Sequence, residues 1–551
     1  MNKSNNMPVL ACLPLVAILL STPLQAADTA ATDEVAKVPA NQETQVIIQL
    51  ARDGKASLLL DILGPLEDIN QADRLGNTAL HAAAQAGHAD IVKALVERGA
   101  DMERKNFSGN TPMLLAAEAG HIKIIELLLD NGANLRAEDQ DGSNAIILAA
   151  YEGHMDVVEL MNAKGLDLNA TDDDGATALI NAMLGDQYDL ARYFIEAGAD
   201  VNIRDEFGNT ALLVAAQRNQ TALVELLVDK GASLGDTDSL NNQALIYLIW
   251  KDNRELVDLF LEKGVSIEST FVNQSRPLMV AASIGNTDLV KYFLDKGAEI
   301  DAQDNAGSTA LLYAARNNQT GAVKELLSRG ASVDILDKAS RTPLTIAAVT
   351  GNTESVKLLL EGGSPVNDQD NYGRTAVYWA ADARKKEAVH ALLEKGADPN
   401  LAEKKDMTPL MRAALRGSVD TAKDLIKHGA DVNARAMGDV TPLMFATIPG
   451  HTKVVEILLE NGAEVDVIDI NKRNALFYST GGEFLRITTL LLDKGSNPNL
   501  IDVHNLTPTD YCIRQNQQSM VELLKKHGGK TAEELGIEPG KDPAFGTKAK
   551  K

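Results

Sequence analysis

Along residues 42–529 apolar side chains recur with a helical spacing that restarts every 33 residues. Ile91-Val-Lys-Ala-Leu-Val96 is one instance of the second stretch in each period, and it ends at Gly99. Glycine then returns at 132, 165, 198 and on through 495 to 528 without insertion or deletion. A residue just past a helix end is asked to take the left-handed conformation, which glycine reaches easily, so each second helix is predicted to stop there. Twelve positions earlier a second slot holds Gly87, Gly120, Gly153, Asp186, Asn219, Asp252 and their counterparts, with Arg384 and Glu483 as the exceptions. Gly, Asn and Asp visit positive φ most readily, so this slot predicts a tight turn between two helices.

A threonine slot that includes Thr78, Thr111, Thr210, Thr342 and Thr441 opens the first helix, where a hydroxyl caps free N–H groups. Pro112, Pro343, Pro409, Pro442 and Pro508 follow it, at the first helical position where a missing N–H does no harm. Inside the first helix alanine recurs, as at 83, 116, 149 and 446, so neighbouring helices are expected to approach closely. Inside the second helix a large apolar slot runs through Leu95, Leu128, Met161, Phe194, Phe260, Leu392 and Leu524. One such helix pair buries too little surface to stand alone, so stability must accumulate along a stack.

The segments Gly76-Asn-Thr-Ala-Leu-His-Ala-Ala-Ala84, Gly87-His-Ala-Asp-Ile-Val92 and Ala430-Asp-Val-Asn433 resemble the opening, middle and closing parts of an ankyrin repeat. The resemblance implies an all-α solenoid of about fifteen 33-residue units, each an antiparallel helix pair, with β-hairpin finger loops such as 99–109. It also implies a protein partner held on the concave finger and first-helix face. The histidine of the family's Thr-Pro-Leu-His motif survives only as His81.

The ends read differently. Residues 1–26 carry Lys3, an apolar run Val9–Leu20 and small Ala26, the signature of a secretory signal peptide. A flexible lead is expected over 27–41, the array over 42–529, and a disordered, basic-ended tail over 530–551. Export to a bacterial periplasm is the expected destination, with the extracellular medium as the alternative. Six Asn-x-Ser/Thr sites from Asn106 to Asn505 leave a eukaryotic secretory route open.

Charge narrows the partners. With 77 acidic against 53 basic residues the chain carries −24, which disfavours nucleic acid and anionic lipid. A protein partner, no membrane insertion and a monomeric state are expected. No catalytic, cofactor or metal constellation stands out. His88, His121, His154 and His451 share one slot, but repeat spacing separates them too far to share an ion, and helix capping is the expected role. Cys512 falls in the alanine slot and reads as core, and Gly528-Gly-Lys-Thr531 lacks the strand and first glycine of a phosphate loop.

Positions that the repeat leaves free are the informative ones. In the first half the candidate partner-binding residues are Phe107, Asp141, Tyr151, Asp173, Phe207 and Trp250, among acidic neighbours; in the second half they are Arg341, Tyr372, Arg374, Lys405 and Arg416, among basic ones. Exposed aromatics and arginines dominate interface energetics, which singles them out. A secreted effector or toxin-neutralising protein is the alternative function. The pattern breaks twice. Leu248 and Ile249 replace alanines and the finger at 271–274 lacks its usual Asp and Gly, which predicts altered curvature near 240–276; Ser479–Phe484 predicts lower local stability.

Overall fold

The structure is a computed structural model that describes residues 42–63, 68–238 and 243–540. The expected signal peptide and lead lie outside these residues, as does the stretch 541–551 of the expected tail. Among the described residues there are thirty α-helices and no strand. They form two compact units, Met1–Ser239 and Leu240–Lys551. In each unit consecutive helices pair antiparallel and each first helix packs on the first helices of its neighbours. Ala79–Ala86, for example, lies between Gln42–Arg52 and Pro112–Glu118.

The threonine slot explains where the first helices begin. Thr78, Thr111, Thr210, Thr342 and Thr441 each sit in extended backbone and accept the N–H three residues on. Asn144 and Asn474 do the same where threonine is absent. The alanine slot is fully buried at 83, 116, 149, 182, 215, 314 and 446, and the second-helix slot is equally buried from Leu95 to Leu524. Leu248 and Ile249 are also buried completely. Cys512 is free and buried, and burial pushes its thiol up to about 12, which leaves an inert core side chain.

The turn slot takes positive φ whatever residue fills it. Asp186, Asn219 and Asn318 have φ of 60°, 55° and 58°, and the two exceptions, Arg384 and Glu483, are held at 60° and 57°. Packing on both sides therefore overrides the local preference of these side chains.

The fingers are tight hairpin loops whose antiparallel pairing, among the described residues, is limited to isolated bridges such as Glu138↔Asn144, Thr171↔Thr177 and Ala436↔Val440. Their arms are too short to propagate a ladder. The four slot histidines do not cap their own helices. Each instead donates Nε2–H to a carbonyl of the preceding repeat: His88 to Arg52, His121 to Gln85, His154 to Glu118 and His451 to Leu415, at 2.9–3.1 Å. Finally, residues 530–540 are not a disordered tail. Lys530 N–H reaches Asn499 Oδ1, Ala532 is buried with its N–H on Asp510, and Glu533–Leu535 makes a 3-10 turn.

Candidate functional site: the finger edge

Many fingers are built around one carboxylate, buried at Asp205, Asp304, Asp337, Asp370, Asp469 and Asp502. Asp370 shows the arrangement: Oδ1 accepts the N–H groups of Tyr372 and Arg374, and Oδ2 accepts Arg374 Nε at 2.9 Å and Trp379 Nε1 at 3.1 Å. Asp304, Asp469 and Asp502 repeat this scheme, with Oδ2 accepting the hydroxyl nine residues on, from Tyr313, Tyr478 and Tyr511. One acid thus closes the loop and ties it to the first helix of the same repeat. Burial alone would raise the Asp502 carboxyl, yet hydrogen bonds from Tyr511, Arg473 and two backbone N–H groups outweigh it and hold the pKa below the ordinary value. Asp139 and Asp172 go the other way, raised chiefly by burial.

Neighbouring fingers are joined tip to tip by backbone hydrogen bonds. In the first unit Phe107 N–H donates to Leu75 O, Gln140 to Ser108, Asp173 to Asp141 and Glu206 to Asp174, at 2.7–3.0 Å. In the second unit Lys338 donates to Ala306, Lys404 to Tyr372, Met437 to Lys405, Ile470 to Gly438 and Val503 to Asn471, at 2.9–3.1 Å. Gly540 N–H then takes His504 O at 2.9 Å, filling the place of a further finger. Lower down, the asparagine of the closing motif makes a parallel ladder: Asn400 Oδ1 accepts from Asp431 N–H and Asn433 Oδ1 from Glu464 N–H. The backbone polar groups of this edge are therefore engaged internally, and the side chains it presents start from fixed positions.

The sequence candidates are placed as follows. Phe107, Phe207 and Tyr372 are exposed on fingertips, and Tyr151 is exposed at the end of the first helix Ala145–Glu152. Asp141 and Asp173 are exposed and belong to adjacent, bonded fingers. Lys405 is exposed on the finger that receives Met437 N–H. Trp250 is half-buried, edge-on to Tyr247 with ring centroids 5.4 Å apart. The arginines are held by their own scaffold. Arg341 pairs with Asp337 at 2.7 Å, and Arg374, bonded to Asp370, lies over the Tyr372 and Trp379 rings at 4.4 and 4.1 Å. Arg416 shares Asp382 with Arg412, at 2.9 and 2.5 Å. Tyr372 and Arg374 are thus brought together on one finger, whereas Arg341 and Arg416 belong to separate ion pairs.

Sequence reasoning missed the aliphatic members of this edge. Met437, Ile470 and Val503 are exposed, as are Ile448 and Ile468. The first three occupy one repeat position, where most earlier fingers are polar, as at Gln140, Asp173, Glu206, Lys338 and Lys404, and only Phe107 and Val272 are apolar. That switch from polar to aliphatic at a single slot was the available signal.

The repeat and its finger edge have counterparts in known proteins. The family described as "Ankyrin repeats (3 copies)" matches residues 47–139, 131–205, 182–271, 270–337, 322–403 and 396–469. The chain belongs to the ankyrin repeat family. Ankyrin repeats are in general protein–protein interaction modules on a non-enzymatic scaffold. An ankyrin repeat-containing protein of Schizosaccharomyces pombe is 46% identical over 52 residues, 9% of this chain. The match spans a quarter of that relative's length. Among the described residues of this ankyrin repeat chain, no helix is long and apolar enough to cross a membrane.

Proposed function

We propose that this chain is an exported, non-catalytic scaffold that binds a protein partner through its finger edges and first-helix ends. The supporting observation is the tip-to-tip bonded edge. Its backbone is satisfied internally, while Phe107, Tyr151 and Phe207 in the first unit and Tyr372 and Lys405 in the second project from it. Pre-ordered loops bind without the entropy cost of being fixed on contact, and exposed aromatics are efficient anchors. Arg341, Arg374 and Arg416 enter as already positioned donors, and Asp141 and Asp173 as acceptors on the acidic side. Trp250 enters as a half-buried aromatic packed edge-on to Tyr247. The apolar run Val9–Leu20 ending near Ala26 supports export to the periplasm. Release into the medium as an effector is the second reading, carried by the same run.

Photo-crosslinking tests the binding face. A crosslinker at Phe107 or Tyr372 is expected to capture the partner, whereas one at Glu126 or Lys357, exposed on second helices, is expected not to. Capture only from the second helices would refute the assignment. Cell fractionation decides between periplasm and medium, and retention of the uncleaved chain in the cytoplasm would remove the export reading.

A further inference from the structure

The last fingers of the second unit carry an apolar side chain at one position in three successive repeats, where earlier fingers carry one only singly, at Phe107 and Val272. Met437, Ile470 and Val503 sit at the same position of three consecutive repeats and are 65%, 73% and 46% exposed. Ile468 adds a fourth exposed aliphatic side chain beside Ile470. Leaving such a row in water is unfavourable, and an apolar surface of this kind on a soluble module marks a contact site.

The spacing of the row follows from the stacked repeats. Ile470 N–H meets Gly438 O, one residue from Met437, and Val503 N–H meets Asn471 O, one residue from Ile470. Stacked repeats lie at helix-packing distances of about 8–10 Å, which puts successive members of the row roughly 9 Å apart. In an α-helix, residues seven apart lie on one face about 10.5 Å apart. Same-face residues of an extended strand fall at about 6.7 or 13 Å, so a strand meets the row out of step. A helix with an apolar side chain every seventh residue matches it to within the reach of flexible Met and Ile side chains.

Charge on the same tips selects what flanks that apolar stripe. Lys404, Lys405 and Lys472 are exposed and their ammonium groups have no carboxylate partner among the described residues. Asp406 and Asp439 are exposed on the same tips, and Arg435 lies 3.6 Å from Asp439. With Asp439 paired, the three lysines stand against one carboxylate unpaired among the described residues of these tips, Asp406, and leave the tips with an excess of positive charge. At physiological salt fields fade over about 8 Å, so these lysines, and not the net −24, set the local preference.

We propose that the row Met437–Ile470–Val503 docks an amphipathic helix of a partner protein, one with apolar residues at seven-residue spacing flanked by carboxylates. This rests on the proposed finger-edge function and specifies the partner's recognition element for the second unit.

The test uses the full mature chain and a fluorescent 22-residue peptide with leucines at three positions seven apart, glutamates beside them and a helix-favouring remainder. Binding is expected, with the Met437→Ser/Ile470→Ser/Val503→Ser variant weakening it at least tenfold while circular dichroism is unchanged. Lys404→Gln/Lys405→Gln/Lys472→Gln is expected to remove most of its salt dependence. A peptide of the same composition with leucines five apart is expected to bind at least tenfold more weakly. Equal binding by the triple serine variant, or by the five-spaced peptide, overturns the proposal. So does concentration-dependent dimerisation of the wild type that the serine variant abolishes, because the row would then serve a second copy. If the helix fails while the native partner still crosslinks from Tyr372, the proposal falls and the finger-edge function stands. Crosslinking solely from second helices overturns both.

Discussion

At the residue scale the repeat assigns different costs to glycines that look alike in the sequence. A methyl group on Gly109 would stand 2.4 Å from the backbone nitrogen of Gln140 in the next finger, at a φ of 77°. Gly99 has a φ of 84° and open space around the same atom. Gly109→Ala is therefore expected to cost at least about 2 kcal/mol, adding a backbone clash to strain, and Gly99→Ala about 1 kcal/mol from strain alone. Urea midpoints of the two variants measure the difference. The converse holds at Arg384, whose φ of 60° is imposed by its neighbours. Arg384→Gly is expected to raise stability by about 1 kcal/mol, and an unchanged or lower midpoint would contradict that account.

His81 is the other residue whose environment decides its behaviour. Thr78 N–H donates to its Nδ1, which places the ring proton on Nε2, facing Asn110 O at 3.0 Å. Burial, the largest cause, holds the pKa below its ordinary 6.5. A depressed folded-state pKa gives stability that is complete above the unfolded value and is lost as pH falls through the folded one. The wild type is thus expected to lose more stability between pH 7.5 and 5 than His81→Leu, which puts at this slot the residue found at 114, 213 and 312. Parallel pH curves would exclude His81 as the source.

At the element scale each helix pair depends on bonds made by its neighbours. The slot histidines show this: His121 reaches back to Gln85 O, and Gln319 reaches Ser283 O in the same way. His121→Gln is expected to be nearly neutral, and His121→Ala to cost about 1 kcal/mol, read from thermal or urea unfolding. The same dependence governs the chain's last element. Residues 530–540 bury Ala532, pair Lys525 with Glu534 at 3.7 Å and place Gly540 N–H on His504 O. Deleting 530–551 removes these contacts from the final helix pair, 508–526. Hydrogen exchange there is expected to accelerate at least tenfold while helices before 470 are unaffected; unchanged protection would show that the segment only rests on the fold. Terminal repeats need such covering because one face has no neighbour.

At the scale of the whole molecule the energetics are those of a repeat array carrying excess charge. Within each unit helix pairs contact their sequence neighbours, so unfolding is expected to be poorly described by two states, with different probes reporting different midpoints. The net charge of −24 is spread along the chain, so midpoints are expected to rise between 20 and 300 mM salt as self-repulsion is screened. Much of this architecture was legible in the residues. The 33-residue register, the threonine caps, the buried alanine and leucine slots and the turn positions follow from local rules of φ, capping and burial, which act within one repeat and so leave a periodic trace. The sequence thereby determined the family, the helix pairs and the positions free for binding. What it left undecided involves atoms roughly 33 residues apart. Whether a histidine caps its own helix or bonds to the repeat before it, and whether a finger forms strands or tight bonded loops, depends on which neighbour is within hydrogen-bond reach. The same holds for Arg416, which shares with Arg412 a carboxylate, Asp382, that only the stacked repeats bring close, and for Met437, Ile470 and Val503. Those three read singly as scattered apolar residues, and became a surface only when stacking set them side by side in water.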